Sequence, residues 1–195
     1  MGNDLAINTE IERRFLVDGR NSTPWRVCEA SFEIKQYYLN ANLLEFHENN
    51  ITYSGVKITD IASEEFKVIS QNPDWVSRIR IINDKIIFTM KGKRVNSSAL
   101  ELEWVIDSIP TIDGFEELPH IEKTRYNKRS NDGLLWEIDE FEGLLAGLIL
   151  AEVELQNATQ EVEIPAWVGI ELTGLANWSN AELAKMLDNA KLLKN

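Results

Sequence analysis

Cysteine is all but missing. Cys28 stands alone in 195 residues, so no intramolecular disulfide can form and the fold has no need of an oxidising compartment. Histidine is nearly as scarce. His47 and His120 are the two present, neither sits in a recognisable motif, and a Cys–His nucleophile is therefore not expected; Cys28 reads as a buried or incidental thiol. Long apolar runs are lacking too. The longest, Leu144 to Ala151, is broken by Gly147 and is too short to span a bilayer, and the first 20 residues carry charges of both signs rather than a targeting segment. No P-loop, HExxH, GxSxG or GxGxxG pattern occurs, which removes the common nucleotide, zinc-protease and serine-hydrolase solutions. Basic residues are outnumbered, 20 against 32 acidic, for a net charge of −12. Such a field repels nucleic acid and anionic membranes, although Lys and Arg can still converge on one spot to bind phosphate. A cytoplasmic protein follows, with a small molecule rather than a membrane or nucleic acid as its partner.

What is present reads mainly as strand. The segments 7–17, 33–39, 77–82, 85–91, 100–106, 121–127, 134–141 and 150–156 alternate or are rich in β-branched and aromatic residues. Asn83-Asp84 and Asn131-Asp132-Gly133 read as tight hairpin turns. Short polar connections between such runs predict an antiparallel sheet or barrel. Near the end, Ser179-Asn180-Ala181-Glu182 has capping-box spacing, and Leu183, Leu187, Ala190 and Leu193 recur at helical intervals. The stretch 40–75 holds two short β-like pieces, 51–53 and 65–69, and reads as an elaborated loop or added hairpin inserted in a single domain spanning 1–195.

The placement of charge within the strands is the informative feature. Residues i and i+2 of a strand share a face. Glu10, Glu12 and Arg14 share one; so do Arg78 and Arg80, Thr89 and Lys91, Glu101 and Glu103, Lys123 and Arg125, Glu137 and Asp139, and Glu152 and Glu154. Any one such strand is ordinarily a solvated face. Repeated strand after strand, with full charges and mostly one sign per strand, the pattern demands counter-charges: a cation between paired carboxylates and an anion between paired bases. A barrel with a charged lumen and an apolar outer face would need helices or a partner subunit to cover its outside, and the C-terminal helix and the Trp residues are available. A homodimer is compatible with that need. Hard carboxylate oxygens suit Mg²⁺ or Mn²⁺, while Arg and Lys neutralise phosphate oxygens. Metal-assisted phosphoryl transfer is mainly positioning and charge stabilisation, so it requires no covalent nucleophile.

Glu10-Ile11-Glu12-Arg13-Arg14-Phe15-Leu16-Val17 resembles the ExExK signature strand of the CYTH superfamily, the triphosphate tunnel metalloenzymes. The likeness continues in order through Ile34–Leu39, Arg78-Ile79-Arg80, Thr89-Met90-Lys91, Glu101-Leu102-Glu103, Glu122–Tyr126, Asp139–Leu144 and Leu150–Leu155. The resemblance implies a mainly β fold: a closed antiparallel tunnel of about eight strands with a charged lumen and a few covering helices, one of them C-terminal. It implies that Arg14, Arg78, Arg80, Lys91, Lys123 and Arg125 hold phosphates. Glu10, Glu12, Asp139, Glu152 and Glu154 would hold the metal, with Glu101 and Glu103 less firmly placed, and Glu10, Glu12 and Arg14 would take the catalytic part.

This sequence departs from the family pattern in places. Arg14 replaces the signature lysine, keeping charge but not a titrating amine. Ala99 stands where relatives often have Arg. Leu175, Ala176 and Asn177 stand where the family usually carries Asp, Lys and Arg, and the 40–75 insertion is longer than in compact relatives. The activity implied first is hydrolysis of inorganic tripolyphosphate to pyrophosphate and phosphate. An organic triphosphatase acting on thiamine or nucleoside triphosphates, with the insertion as a lid, is the alternative enzyme; a non-catalytic polyphosphate- or nucleotide-binding module is the alternative of another class.

Overall fold

The computed structural model describes residues 7–93 and 98–193; the ends of the domain expected over 1–195 lie outside them. Strand β1 (Ile7–Val17) is followed by β2 (Ala30–Tyr38), a small sheet of β3 (Leu44–His47), β4 (Asn50–Tyr53) and β5 (Val56–Asp60), and helix α1 (Ser63–Gln71). Then come β6 (Val76–Ile82), β7 (Lys85–Lys91), β8 (Ser98–Ile106), β9 (His120–Arg129), β10 (Leu135–Phe141), β11 (Ile149–Glu154), β12 (Val168–Glu171) and helix α2 (Asn180–Leu192). The main sheet runs β11-β10-β9-β2-β6-β7-β8-β1, and β11 pairs back onto β1, closing an eight-stranded antiparallel barrel; β12 adds to β1 at one rim. Closure leaves the ring no open hydrogen-bonding edge. The Asn83 turn between β6 and β7 takes a positive φ of 51°, which Asn tolerates better than most residues. Gly169 lets β12 approach β1, because a Cβ there would meet the Leu16 carbonyl oxygen at 2.5 Å.

The two faces of the wall divide by chemistry. Outward residues of β2, β6, β7 and β8 (Tyr37, Ile79, Phe88, Met90 and Leu102) are buried in one cluster with Ile51, Tyr53, Ile58, Ile69 and Trp75. The 40–75 insertion therefore lies against the outer wall of the barrel. It is neither loop nor simple hairpin but a three-stranded antiparallel sheet with a helix. The expected β-like piece 65–69 is part of α1. Glu65 accepts a hydrogen bond from the Ala62 backbone N–H at 2.7 Å and starts the helix, while Ile69 faces the cluster. Its short apolar run reads the same in either geometry until the cap and the packing partner are known. With its apolar residues committed to the wall, the insertion loses the basis for a lid.

A second patch of outer wall is covered by Trp25 and Trp167. Their rings tilt together with centroids 5.5 Å apart, and Trp167 meets Trp136 edge-on at 5.6 Å. The chain thus covers with its own insertion and tryptophans much of what the sequence left to a partner. Burying each large side chain contributes roughly 1.5–3 kcal/mol.

The C-terminal helix does something other than cover the outside. Leu183 and Ala184 pack with Tyr38, Ile121, Phe141, Leu150 and Leu172, and Leu16 joins them. Leu16, Tyr38, Ile121, Phe141 and Leu150 are the inward-facing positions at one end of their strands, two residues from Arg14, Gln36, Lys123, Asp139 and Glu152. Helix α2 therefore plugs that end of the barrel. Ser179 caps it, accepting from the Glu182 N–H at 3.2 Å, as the capping-box spacing predicts. The expected apolar stripe holds only at its start: Ala190 and Leu193 are exposed, and the buried pair is Leu183 and Ala184. A helix that meets the barrel end-on buries one turn rather than a full-length face. Among the described residues, no helix is long and apolar enough to cross a membrane.

Candidate active site

The closed register brings every charged residue singled out above to the inner face. Glu12 lies opposite Glu154 and Arg14 opposite Glu152. Asp139 pairs with Arg125, Lys91 with Glu101 and Thr89 with both Arg78 and Glu103. Side chains at paired positions point to the same side of a sheet.

Acidic β10 stands beside basic β9, and acidic β8 beside basic β7, so many of the charges first satisfy each other. Arg14 donates from Nε to Glu152 at 2.5 Å, from Nη2 to Glu12 at 3.0 Å and from Nη1 to the Trp178 carbonyl at 3.1 Å. Arg125 grips Asp139 through Nε and Nη2, both at 2.7 Å, and also reaches Glu137 and, at 3.5 Å, Glu152. Lys123, only 2% exposed, is paired with Asp139, 1% exposed. Arg78 meets Glu101 at 3.3 Å, Arg80 meets Glu103, and Lys91 meets Glu10, with Glu12 at 3.9 Å. The sequence reading expected paired like charges to await a metal and an anion; the tertiary structure supplies much of the compensation across strands.

The compensation is incomplete in two directions. On the basic side, the buried Nε–H groups of Arg78 and Arg80 have no acceptor among the described residues. Burial, and then the charge of Arg78, lowers the pKa of Arg80 despite Glu103. Burial likewise pulls Lys123 down to about 8 although Asp139 opposes it. Buried donors without partners are costly, and an anion among them would recover that cost.

On the acidic side, burial and then the charges of Glu137, Glu10 and Glu12 raise Glu154, which stands exposed on its strand. Glu101 is pushed up to about 8 by burial and by its hydrogen bond to Glu10, against Arg78 and Lys91. Burial alone would raise Glu10 as well, but the hydrogen bond from Glu101 and the charges of Lys91 and Arg78 outweigh it and hold Glu10 at about 2. Carboxylates that raise one another's pKa are relieved by a cation.

Among the described residues, no three His, Cys, Asp or Glu side chains converge as a ready-made metal cage. The donors are nonetheless of the right kind. Glu10, Glu12, Glu137 and Glu154 carry hard oxygen donors on the acidic side of the lumen, of the kind that suits a small divalent ion keeping several waters, although Lys91, Arg14 and Arg125 already reach the first three. Asp139 and Glu152, expected among the metal ligands, lie deeper and are taken up by Lys123, Arg125 and Arg14.

Some lining residues were not in the sequence-derived set. Glu137 appeared there only as one of a pair, and its contact with Arg125 makes it part of the network. Gln36 and Tyr38 are buried in the lumen, joined by a 2.7 Å hydrogen bond from the amide to the phenol oxygen. Their alternation on β2 was the available signal, but neutral residues give no charge pattern to notice. The Leu175–Asn177 segment contributes no charged side chain; the Trp178 carbonyl beside it receives Arg14 instead.

Comparison with known proteins agrees with this geometry. The profile described as CYTH domain matches residues 71–184. An inorganic triphosphatase of Acetivibrio thermocellus is 39% identical over 111 residues, covering 55% of this chain and 70% of that protein. An inorganic triphosphatase of Nitrosomonas europaea is 42% identical over 66 residues, 33% of this chain and 44% of its own length. The crystal structure of an inorganic triphosphatase superposes over 90% of this chain and 93% of its own, with a TM-score of 0.52 and 27% identity.

Proposed function

The chain belongs to the CYTH domain family, and on that premise we propose that it is a metal-dependent triphosphatase that hydrolyses inorganic tripolyphosphate to pyrophosphate and phosphate within its barrel. The observation that carries the reading is the basic side of the lumen: Arg78 and Arg80 hold buried N–H donors with no acceptor among the described residues, in a tunnel where Lys123 and Arg125 also converge. A polyanion is the ligand that such a lumen lacks. Arg14, Arg78, Arg80, Lys91, Lys123 and Arg125 would bind its oxygens, Arg through bidentate forks.

Glu10, Glu12, Glu137 and Glu154 would hold Mg²⁺ or Mn²⁺, which when bound would neutralise phosphate charge and lower the pKa of coordinated water. The protein's own residues supply the rest. Asp139 and Glu152 orient Lys123, Arg125 and Arg14, so the cations are fixed before the charge of the transition state develops. The plug of α2 excludes water from the deep end. A lone cysteine and a small-molecule substrate accord with work in the cytoplasm.

Steady-state phosphate release from tripolyphosphate, with Mg²⁺ or Mn²⁺ supplied, tests the proposal. Turnover that needs the metal supports it; metal-linked binding of tripolyphosphate without any turnover would instead support the binding module.

A further inference from the structure

Outside the barrel, the connection from β11 to β12 passes beside the β9–β10 hairpin, which turns at the mouth, the end away from the plug. The two are fastened together. The Glu163 backbone N–H donates to Asp132 Oδ2 at 2.9 Å, and the same carboxylate accepts from the Ser130 hydroxyl and, at 3.1 Å, from the Leu134 N–H. Between the hairpin and this strap lies a cavity of about 500 Å³, within the range of small-molecule sites. Its lining is distinct from the charged network of the lumen. Lys128 and Trp136, register partners across the hairpin, stand on the outer face of the wall.

The cavity has three kinds of wall. Trp136, which is fully buried, and Trp167 form an apolar corner with their rings set at 75°. Ile164 and Pro165 continue it along the strap. An aromatic group fits such a corner edge to face or offset. Lys128 and Arg129 supply positive charge from the hairpin. Lys128 donates to the Val27 carbonyl at 2.8 Å and Arg129 to the Gly133 carbonyl at 3.0 Å, which steadies both while each keeps further N–H groups. Negative charge comes from the strap, where the Glu163 carboxylate has no partner among the described residues. A simple cation would meet Lys128 and Arg129 here. A simple anion would meet Glu163 and the field of a chain carrying −12. A zwitterion with an apolar substituent answers all three walls and has no net charge to be repelled.

We propose that this outer cavity binds a free α-amino acid with an aromatic side chain. Its carboxylate would lie on Lys128 and Arg129, its ammonium on Glu163, and its ring in the corner of Trp136 and Trp167. The site is separate from the lumen and does not rest on the triphosphatase reading.

Isothermal titration calorimetry of the full chain, without triphosphate or metal, tests this. The ligands are L-phenylalanine and compounds that each lack one of its parts: 2-phenylethylamine, 3-phenylpropionate and L-alanine. L-Phenylalanine should bind saturably with a Kd of about 1 mM or tighter. Each analogue should bind about tenfold more weakly or worse, the scale of one lost charge-assisted contact or one lost apolar anchor. Glu163→Gln keeps the size of the side chain and removes its charge. It should weaken L-phenylalanine about tenfold and leave 3-phenylpropionate no weaker. Arg129→Gln is the mirror case and should spare 2-phenylethylamine. Both residues are exposed, so neither change threatens the fold. The proposal is overturned by the lack of saturable L-phenylalanine binding below about 10 mM, by equal binding of any analogue, or by an unmoved affinity in either variant. The triphosphatase reading stands in each of those cases.

Discussion

Arg125 and Asp139 face each other on adjacent strands and are joined by two parallel hydrogen bonds, Nε to Oδ1 and Nη2 to Oδ2, each 2.7 Å long. Lys123 approaches the same carboxylate, so one buried acid holds two cations whose ends would serve the phosphates. This arrangement separates two roles that the sequence merges. In the proposed function Asp139 would act as an internal counter-ion and positioning group, and a metal would fall to the acids nearer the mouth.

The first prediction concerns that acid. Asp139→Ala leaves Lys123 and Arg125 buried with their main partner gone. Breaking a buried pair from one side typically costs ~3–5 kcal/mol. Denaturant unfolding of the variant should show a loss of that size. A loss below about 1 kcal/mol, together with weaker metal binding, would return Asp139 to the ligand set.

The second concerns Arg78, whose Nε–H lacks an acceptor among the described residues and whose nearest acid, Glu101, is 3.3 Å away. Arg78→Ala should weaken tripolyphosphate binding about tenfold or more, since a hydrogen bond to a charged group is typically worth ~1.5–3 kcal/mol. Calorimetric titration reads this directly. An unchanged affinity in a folded variant would place the phosphates elsewhere.

The third separates catalysis from binding. A Glu10→Gln/Glu12→Gln variant keeps side-chain size and removes two charges from the acidic side. It should remain folded, lose turnover and still bind tripolyphosphate without metal. Chelation of the parent should abolish turnover, and Mg²⁺ or Mn²⁺ should restore it. Full activity in the double variant, or in the parent under excess chelator, contradicts the assigned part.

The fourth concerns the plug. Leu183 is 5% exposed and packs against inward-facing residues at the closed end. Leu183→Ala should cost ~2–5 kcal/mol, as core truncations of this kind do. Hydrogen exchange should show α2 opening before the barrel strands. Uniform loss of protection across α2 and β9 would mean that the plug is not a separable unit.

The sequence alone determined the barrel strands and the set of charged candidates. Strand periodicity is local, so Glu10, Glu12 and Arg14 announce a common face from their spacing, and Ser179 with Glu182 announces a helix start. The four-residue turns are equally local, as at Asn83. Three matters were settled only by tertiary contact. The helix at 63–71 was hidden because a short apolar run carries no period long enough to distinguish helix from strand, and its Glu65 cap and outer-wall partners are known only in the fold. The division of the acids was hidden because a carboxylate's partner lies on a neighbouring strand: Asp139 and Glu152 meet Arg and Lys deep in the lumen, whereas Glu154 meets mainly other acids. The place of α2 was hidden because an amphipathic stripe says that a helix face is buried but not by what. Here the apolar ends of inward-facing strand positions, from Leu16 to Leu150, form the surface that the helix closes.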